Sequence, residues 1–331
     1  MFEQLALVDT DGRRPVPPPP VRPREPFAYY LGSRPNWLNG EHLDADVPMF
    51  VSATTLARYV TGPADTMGAW DGFAIRTASR WAGDSGAFTA LTTDNPNHPW
   101  HLDPDSYGGM WARLIGDMGR EPDFVAPQDM PCEPVVLART GLTVRQHIEL
   151  TVENYLYLVE NFPFVPWIPV LQGWSAADYL YCEQLYLAAG VDLAACVRVG
   201  IGSICRRGHV AEIVEVIGQF ASRGYRLHGF GVKITALPII GHLLASADSY
   251  AWSDTARKEH TMLDGCHHTS RKGAVTDCRN CPRWAQEWRR RVLATIPTRP
   301  TTPRPPTAPA QRRPPVRRRR PAVEGQLALA A

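Results

Sequence analysis

Short apolar stretches recur along the central part of the chain, and each ends in polar residues or glycine. They lie at 48–53, 123–129, 164–173, 193–203, 225–233 and in the residues leading to 246–249. Between several of them, apolar residues return every three or four positions, which is the spacing of one helix face. This pattern predicts helices at 144–160, 175–190 and 209–223, with Ser175 as the N-cap and Gly190 as the stop of the second.

Strands that alternate with helices are typical of βαβ units and a parallel sheet. Repetition of such units through residues 26–296 favours a closed barrel, and the G-x-G-x-x-G turn of many open sheets is missing from the junctions. We therefore predict an α/β fold, specifically a (β/α)8 TIM barrel. In such a barrel the active site lies at the carboxyl ends of the strands.

Proline and arginine dominate both ends of the chain, which has 31 prolines among its 331 residues. Residues 1–25 and 297–331 cannot pack a core, so we expect two disordered tails around a domain at 26–296. The second tail carries Arg312, Arg313 and Arg317 to Arg320. Such a run suits an anionic partner such as nucleic acid, although a merely solvated tail has the same composition.

The first fifteen residues lack the basic and apolar regions of a signal peptide, and no apolar run reaches membrane-spanning length. We therefore expect a cytoplasmic protein with no membrane partner and with reduced cysteines.

Three of the seven cysteines and two histidines cluster near the end of this domain. They are Cys266, His267, His268, Cys278 and Cys281. Three thiolates and one imidazole make a closed tetrahedral zinc site, which stabilises folding and takes no part in chemistry. We predict a C-terminal zinc-binding subdomain at 266–281 in which His268 is the favoured histidine and His267 the alternative. Unmetallated surface thiols are the competing interpretation.

Chemically specific residues follow the predicted strands. Asp84 and Asp248 could divide nucleophilic and proton-transfer work at the anomeric carbon of a sugar, although a strand-end Asp can equally be a cap or an ion-pair partner. Asp129 and Gln172 offer acceptors and donors that fit a guanine edge. Phe88 and Phe230 could stack on a base or could simply pack in the core.

Six segments resemble, in the same order, motifs of the tRNA-guanine transglycosylase superfamily. They are 84–89, Asp129 within 126–134, 170–173, 200–202, 229–232 and 247–249. The resemblance implies that Asp248 attacks C1′ and that Asp84 manages protons. It implies a base pocket built from Ser85, Phe88, Asp129, Gln172, Gly202 through its backbone N–H, Phe230 and Gly231, and a zinc held by three cysteines and one histidine.

The segment around the expected nucleophile departs from the family pattern. Ala245 stands where the bacterial tRNA enzymes carry a first acid, and Ala247 replaces the aromatic residue before Asp248. Ala87 and Thr89 replace a Gly and a Gln of the first motif. Asp254, slightly later in the chain, is therefore the competing nucleophile.

The segments 27–38, 246–253 and 278–289 look more like the DNA-modifying branch of the superfamily, the deazapurine DNA modification protein A family. This resemblance implies exchange of guanine for a 7-deazaguanine, a preQ0-type base, in DNA through a covalent Asp-glycosyl intermediate. The alternatives are a tRNA-guanine transglycosylase of the queuine or archaeosine type and a non-catalytic nucleic-acid-binding subunit. DNA, or alternatively tRNA, and the incoming base are the expected partners, with a homodimer or accessory DNA-modification proteins as further candidates.

Overall fold

The computed structural model describes residues 26–33, 43–56, 60–61, 69–70, 79–95, 98–118, 120–204, 210–270 and 272–297. The two predicted tails, 1–25 and 297–331, lie outside these ranges except for Pro297. Within the described residues, no helix is long and apolar enough to cross a membrane.

Eleven short strands are described. In chain order they are β1 Ala28–Gly32, β2 Met49–Ser52, β3 Val60–Thr61, β4 Ala69–Trp70, β5 Trp81–Asp84, β6 Val170–Leu171, β7 Val199–Ile201, β8 Leu227–Gly229, β9 Ser246–Ser249, β10 His268–Thr269 and β11 Val275–Thr276. Seven of them form one parallel sheet in the order β5-β2-β1-β9-β8-β7-β6. The other four form two antiparallel pairs, β3 with β4 and β10 with β11.

Helices fill most of the connections between the strands. They are α1 Ala53–Leu56, α2 Ala87–Thr92, α3 Pro104–Met118, α4 Pro134–Thr140, α5 Val144–Asn161, α6 Ala176–Ala188, α7 Val210–Ala221, α8 Leu237–Ile240, α9 Ala251–Glu259 and α10 Pro282–Ala294. The described residues also include two single-turn 3-10 helices, Pro99–His101 and Gly241–Leu243. The alternation of strands and helices confirms the predicted α/β fold with a parallel sheet.

The predicted helices agree closely with the structure where it is described. Helix α5 is preceded by Thr143, whose side chain accepts a hydrogen bond from the Gln146 backbone in a capping box. Ser175 caps α6 in the same way, as its position in the sequence indicated. The chain leaves α6 through Gly190, whose φ of 86° lies in the left-handed region that favours glycine.

The seven-stranded sheet curls into a half-barrel, and one further segment lies between its edges. Val125 forms parallel bridges to Gly83 at the end of β5 and to Trp167 just before β6. The backbone N–H of Ala126 donates to Gly83 at 2.9 Å, and that of Ile168 donates to Val125 at 3.0 Å. The predicted strand at 123–129 is thus reduced to a bridge, because prolines 127 and 166 lack the N–H that would extend these ladders.

Two cores lie on opposite faces of the sheet. Along β1, Tyr29 and Leu31 join the large core beneath the helices, whereas Ala28 and Tyr30 point to the other face, as the two-residue period of a strand requires. The second face carries the inner cluster, which comprises Ala28, Tyr30, Phe50, Ala82, Phe124 and Ile168 with Val197 and Phe230 packed against it. The curled sheet therefore encloses a packed aromatic interior beneath its carboxyl edge.

Candidate active site and metal centre

One cavity lies at the carboxyl ends of the strands, above the inner cluster. It has a volume of about 180 Å³, and every residue that the sequence proposed for catalysis or base binding lines it. These nine residues are Asp84, Ser85, Phe88, Asp129, Gln172, Gly202, Phe230, Gly231 and Asp248. Residues separated by up to 164 positions are brought together because the carboxyl ends of parallel strands meet at one edge of the sheet.

Asp84 ends β5, and its carboxylate is held by two donors. The Gly86 backbone N–H donates to Oδ2 at 3.1 Å, and the Ser52 hydroxyl also donates to the carboxylate. Desolvation, followed by the negative charges of Asp248 and Asp129, raises the pKa of Asp84 from 3.8 to about 7. A carboxyl group with this pKa exchanges protons readily at neutral pH, as an acid–base catalyst must.

Hydroxyl groups connect Asp84 to a histidine behind the cavity wall. The Thr54 hydroxyl lies 3.3 Å from Ser52 Oγ and 2.7 Å from His98 Nε2. Burial, with a smaller effect of His101, lowers the pKa of His98 to about 4, so this imidazole is neutral at pH 7. Ser52, Thr54 and His98 were not predicted from the sequence, because hydroxyl residues after a strand carry no specific chemical pattern.

Asp248 lies on β9 and lines the same cavity as Asp84. The Gly231 backbone N–H donates to Oδ1 at 2.8 Å, and Gly231 has a φ of 57°, in the left-handed region that favours glycine. The imidazole Nε2 of His228 lies 3.5 Å from the same oxygen. By contrast, the competing acid Asp254 is exposed on α9 and pairs with Arg257 at 2.5 Å.

Asp129 is the centre of a hydrogen-bond network on the inner wall of the cavity. Its Oδ1 accepts from the Ser85 hydroxyl at 2.5 Å, and its Oδ2 accepts from Gln172 Nε2 at 2.6 Å. Beyond Gln172, the Ser203 hydroxyl lies 2.7 Å from Gln172 Oε1 and 2.8 Å from Glu133 Oε2. Burial raises the pKa of Asp129 to about 6 despite the hydrogen bonds from Ser85 and Gln172, which lower it. The carboxylate is therefore mostly ionised above neutral pH.

Ser203 and Glu133 also line the cavity, although the sequence did not predict them as site residues. Glu133 lies within the segment 126–134 that carried the resemblance around Asp129, and its burial was the missing information. Ser203 has a φ of 54°, which is uncommon for a residue other than glycine. The inner wall is thus more polar than the sequence suggested.

Gly202 lines the cavity, but its backbone N–H donates to the Leu171 carbonyl at 3.0 Å within the sheet. The N–H that the resemblance assigned to base binding is therefore already engaged. The side chain of Gln172 approaches Gly202 so closely that a Cβ on residue 202 would lie 2.2 Å from Gln172 Nε2. This close approach favours glycine at position 202.

The two aromatic candidates, Phe88 and Phe230, are both half-buried residues of the cavity wall. Phe88 lies in the first turn of α2. The ring of Phe230 also packs against the inner cluster, with its centroid 6.1 Å from that of Phe50. Phe230 therefore packs in the core and also lines the cavity. Core packing and stacking on a base are thus compatible roles for this residue.

The metal-ligand candidates converge on one point between β10, β11 and the start of α10. The ligand atoms of Cys266, His268, Cys278 and Cys281 all lie within 4.8 Å of one another. Cys266 Sγ and Cys281 Sγ are 3.9 Å apart, close to the spacing of about 3.8 Å that two Zn–S bonds of about 2.3 Å impose in a tetrahedron. His268, not His267, belongs to the group, and its Nε2 is buried without a hydrogen-bond partner among the described residues. The cluster could hold a metal ion and is compatible with structural zinc.

Among curated proteins, none matches this sequence significantly. A family described as "DpdA: DeoxyPurine in DNA protein A" matches residues 26–303, which is most of the 331-residue chain and includes the whole cavity and the cysteine cluster. Because this match covers well over half of the chain, the chain belongs to the DpdA, deoxypurine in DNA protein A, family.

Proposed function

We propose that the protein is a pentosyltransferase that exchanges guanine in DNA for a 7-deazaguanine base. The observation that carries the proposal is the position of Asp84 and Asp248 around the same cavity as the Asp129–Gln172 pair. Two acids in different settings suit displacement at a sugar carbon, and a carboxylate beside an amide suits a guanine edge. The deoxypurine named by the family supports DNA as the polymer.

In the first half of the reaction, a target deoxyguanosine leaves the base stack and enters the cavity. A carboxylate oxygen of Asp248 attacks C1′, a bond forms between them, and the C1′–N9 bond breaks with its electrons passing to guanine. Asp84, whose pKa of about 7 leaves it partly protonated at neutral pH, supplies the proton to the departing base. The product is a covalent ester between Asp248 and the DNA sugar.

In the second half, a 7-deazaguanine replaces the free guanine. Asp84, now ionised, takes the proton from N9 of the incoming base, and N9 attacks C1′ as the bond to Asp248 breaks. Each cycle therefore returns Asp84 to its protonated state and Asp248 to its carboxylate. The exchange needs no net supply of protons or electrons.

The base is recognised along its hydrogen-bonding edge. An ionised Asp129 accepts hydrogen bonds from N1–H and the exocyclic amine, and the amide of Gln172 can donate to O6. The hydrogen bonds from Ser85 and Gln172 hold Asp129 in place before the base arrives. Phe88 and Phe230 provide apolar ring faces on the cavity wall for the base plane.

We further propose that the sheet closes as an eight-stranded (β/α)8 barrel, with the segment around Val125 as the remaining strand. The two parallel bridges of Val125, to Gly83 on one side and Trp167 on the other, support this closure. Zinc held by Cys266, His268, Cys278 and Cys281 would fasten the C-terminal subdomain and supply no chemistry to the exchange.

The test is covalent trapping. Full-length protein incubated with guanine-containing DNA and no incoming base should form an adduct that survives a denaturing gel. Asp248→Asn should abolish the adduct, because the amide is a poor nucleophile, whereas Asp254→Asn at the exposed ion pair should leave it intact. If Asp254→Asn abolishes the adduct and Asp248→Asn does not, the nucleophile is Asp254.

A second measurement separates the three candidate functions. Nucleoside mass spectrometry of host DNA and tRNA, with and without the protein, should find a new deoxynucleoside in DNA. A modified nucleoside confined to tRNA would instead favour the tRNA-guanine transglycosylase alternative. No adduct and no modified nucleoside would favour a non-catalytic binding subunit.

A further inference from the structure

A buried histidine points at the proposed nucleophile. His228 on β8 is fully buried, and its ring is surrounded by the aromatic side chains of the inner cluster, namely Tyr30, Phe50, Phe124 and Phe230. Its Nε2 lies 3.5 Å from Asp248 Oδ1 and makes no hydrogen bond of ordinary length with any described residue. Leaving such an atom without a partner costs stability, so its position calls for a functional explanation.

The other ring nitrogen decides where the imidazole proton resides. Arg198 Nε donates to Ser246 Oγ at 3.2 Å, and Ser246 Oγ lies 2.9 Å from His228 Nδ1. Ser246 is fully buried. Among the described residues, His228 Nδ1 is the acceptor within reach of the Ser246 hydroxyl hydrogen. When Ser246 Oγ accepts from Arg198 and donates to His228 Nδ1, a neutral ring carries its proton on Nε2, which faces Asp248.

We propose that His228 is a positioning residue for the nucleophile: its Nε2–H, oriented by Ser246 and Arg198, donates to Asp248 Oδ1. The inference rests on the proposed function of Asp248. Gly231 N–H already donates to Oδ1 at 2.8 Å, so two donors would converge on one oxygen. No described residue donates a hydrogen bond to Oδ2, which assigns Oδ2 as the atom that attacks C1′. The contact of 3.5 Å shortens when the sugar engages the carboxylate.

A neutral donor suits this position better than a cation. Burial lowers the pKa of His228, so the ring stays uncharged and does not quench the negative charge of Asp248. In the covalent intermediate, Oδ1 becomes the carbonyl oxygen of the ester. Two N–H groups on that oxygen stabilise the carboxylate that returns when the incoming base displaces it, so they assist the second half of the reaction.

The experiment compares two substitutions of His228 in the full-length protein. His228→Phe keeps a ring within the aromatic cluster but removes the donor, whereas His228→Gln keeps an amide N–H near the position of Nε2. For exchange of labelled guanine into DNA, we expect His228→Phe to lower kcat by about 10- to 100-fold with KM for DNA nearly unchanged. His228→Gln should recover much of the loss. Ser246→Ala, which keeps the imidazole, should give a smaller loss.

A second readout does not depend on activity. In protein labelled with nitrogen-15 at histidine, the His228 ring should show the Nε2–H tautomer, and Ser246→Ala should weaken that preference. An Nδ1–H tautomer in the unsubstituted protein would overturn the inference. So would a wild-type kcat for His228→Phe, or equal losses in His228→Phe and His228→Gln, which would indicate packing alone. If the unsubstituted chain exchanges no guanine, both this inference and the proposed function fail; if it does and His228→Phe matches it, this inference alone fails.

Discussion

At the scale of single residues, the two acids of the cavity are distinguished by their neighbours. Each accepts a hydrogen bond from a glycine N–H, but Asp84 lies near two other carboxylates and its pKa rises to about 7, whereas Asp248 lies beside the buried His228. A carboxyl group that holds a proton near neutral pH suits acid–base work, which supports the role that the resemblance implied for Asp84. For Asp248, the support is its position at the same cavity.

The raised pKa of Asp84 predicts that the active site destabilises the fold at neutral and alkaline pH. Because the pKa of Asp84 is about 7 in the folded chain and about 3.8 when exposed, the folded state binds this proton more tightly. Stability from this group is complete below pH 3.8 and is lost as pH rises through 7. Asp84→Asn removes the penalty and should raise the free energy of unfolding at pH 8 by about 1–3 kcal/mol, while turnover is abolished.

Urea unfolding of both proteins at pH 8 and pH 4 measures this effect, and the difference should shrink toward zero at the lower pH. Asp254→Asn is the matched control, because Asp254 is an exposed acid and its replacement should bring no comparable stabilisation at pH 8. An Asp84→Asn protein no more stable than the unsubstituted chain at pH 8 would contradict the raised pKa.

At the scale of elements, the cysteine cluster anchors α10 beside the strands of the site. Cys281 is the N-cap of α10, and Trp288 of that helix stacks on Tyr29 of β1 with ring centroids 6.0 Å apart. Arg289 Nε also donates to the Tyr29 carbonyl at 2.8 Å. Strand β1 pairs with β9, which carries Asp248. The position of α10 is thus linked, through one intervening strand, to the strand that carries the proposed nucleophile.

We predict one zinc ion per chain and a large loss of stability when a ligand is removed. Cys281→Ser should reduce the zinc content, and the thermal unfolding temperature should fall by several degrees, because metal binding free energy contributes directly to folding. Cys196→Ser is the control, since this half-buried thiol lies outside the cluster. Elemental analysis that finds no zinc in a fully folded protein would refute the prediction.

At the scale of the whole molecule, positive charge is distributed unevenly along the chain. The net charge is only +2, but the C-terminal tail is rich in arginine. Residues 298–331 contain eight arginines and one glutamate, and they lie outside the described residues. Each arginine that neutralises a DNA phosphate releases a condensed counterion, so binding through the tail must weaken as salt rises. The sequence therefore predicts an electrostatic contribution of the tail to DNA binding.

Deletion of 298–331 should weaken DNA binding mainly at low salt. It should also make the plot of log affinity against log salt less steep, by about 0.9 for each DNA phosphate that the tail neutralises. Deletion of residues 1–25 provides a matched control, since that proline-rich segment has four arginines balanced by four acids. Fluorescence anisotropy with a DNA duplex across a salt series gives both slopes. Equal slopes for the full-length and C-terminally truncated proteins would mean that the tail does not bind DNA.

The sequence by itself determined the features that depend on neighbouring residues. Helices α5 and α6 begin directly after their N-caps, Thr143 and Ser175, because capping is a contact between residues three positions apart. The strand-end acids were also predictable, since parallel strands bring their carboxyl ends to one edge. The spacing of the cysteines likewise indicated a ligand cluster, and His268 was the favoured histidine.

Only the tertiary structure decided what depends on distant atoms. It brought His228 within 3.5 Å of Asp248, added Ser203 and Glu133 to the inner wall, and revealed β1 and the bridge at Val125. It also set the pKa of Asp84, because desolvation and the charges of Asp129 and Asp248 arise from packing and not from adjacent residues. A hydrogen bond needs its two heavy atoms about 3 Å apart, and a charge shifts a pKa most strongly within about 4–6 Å, so both become defined only once the chain has folded.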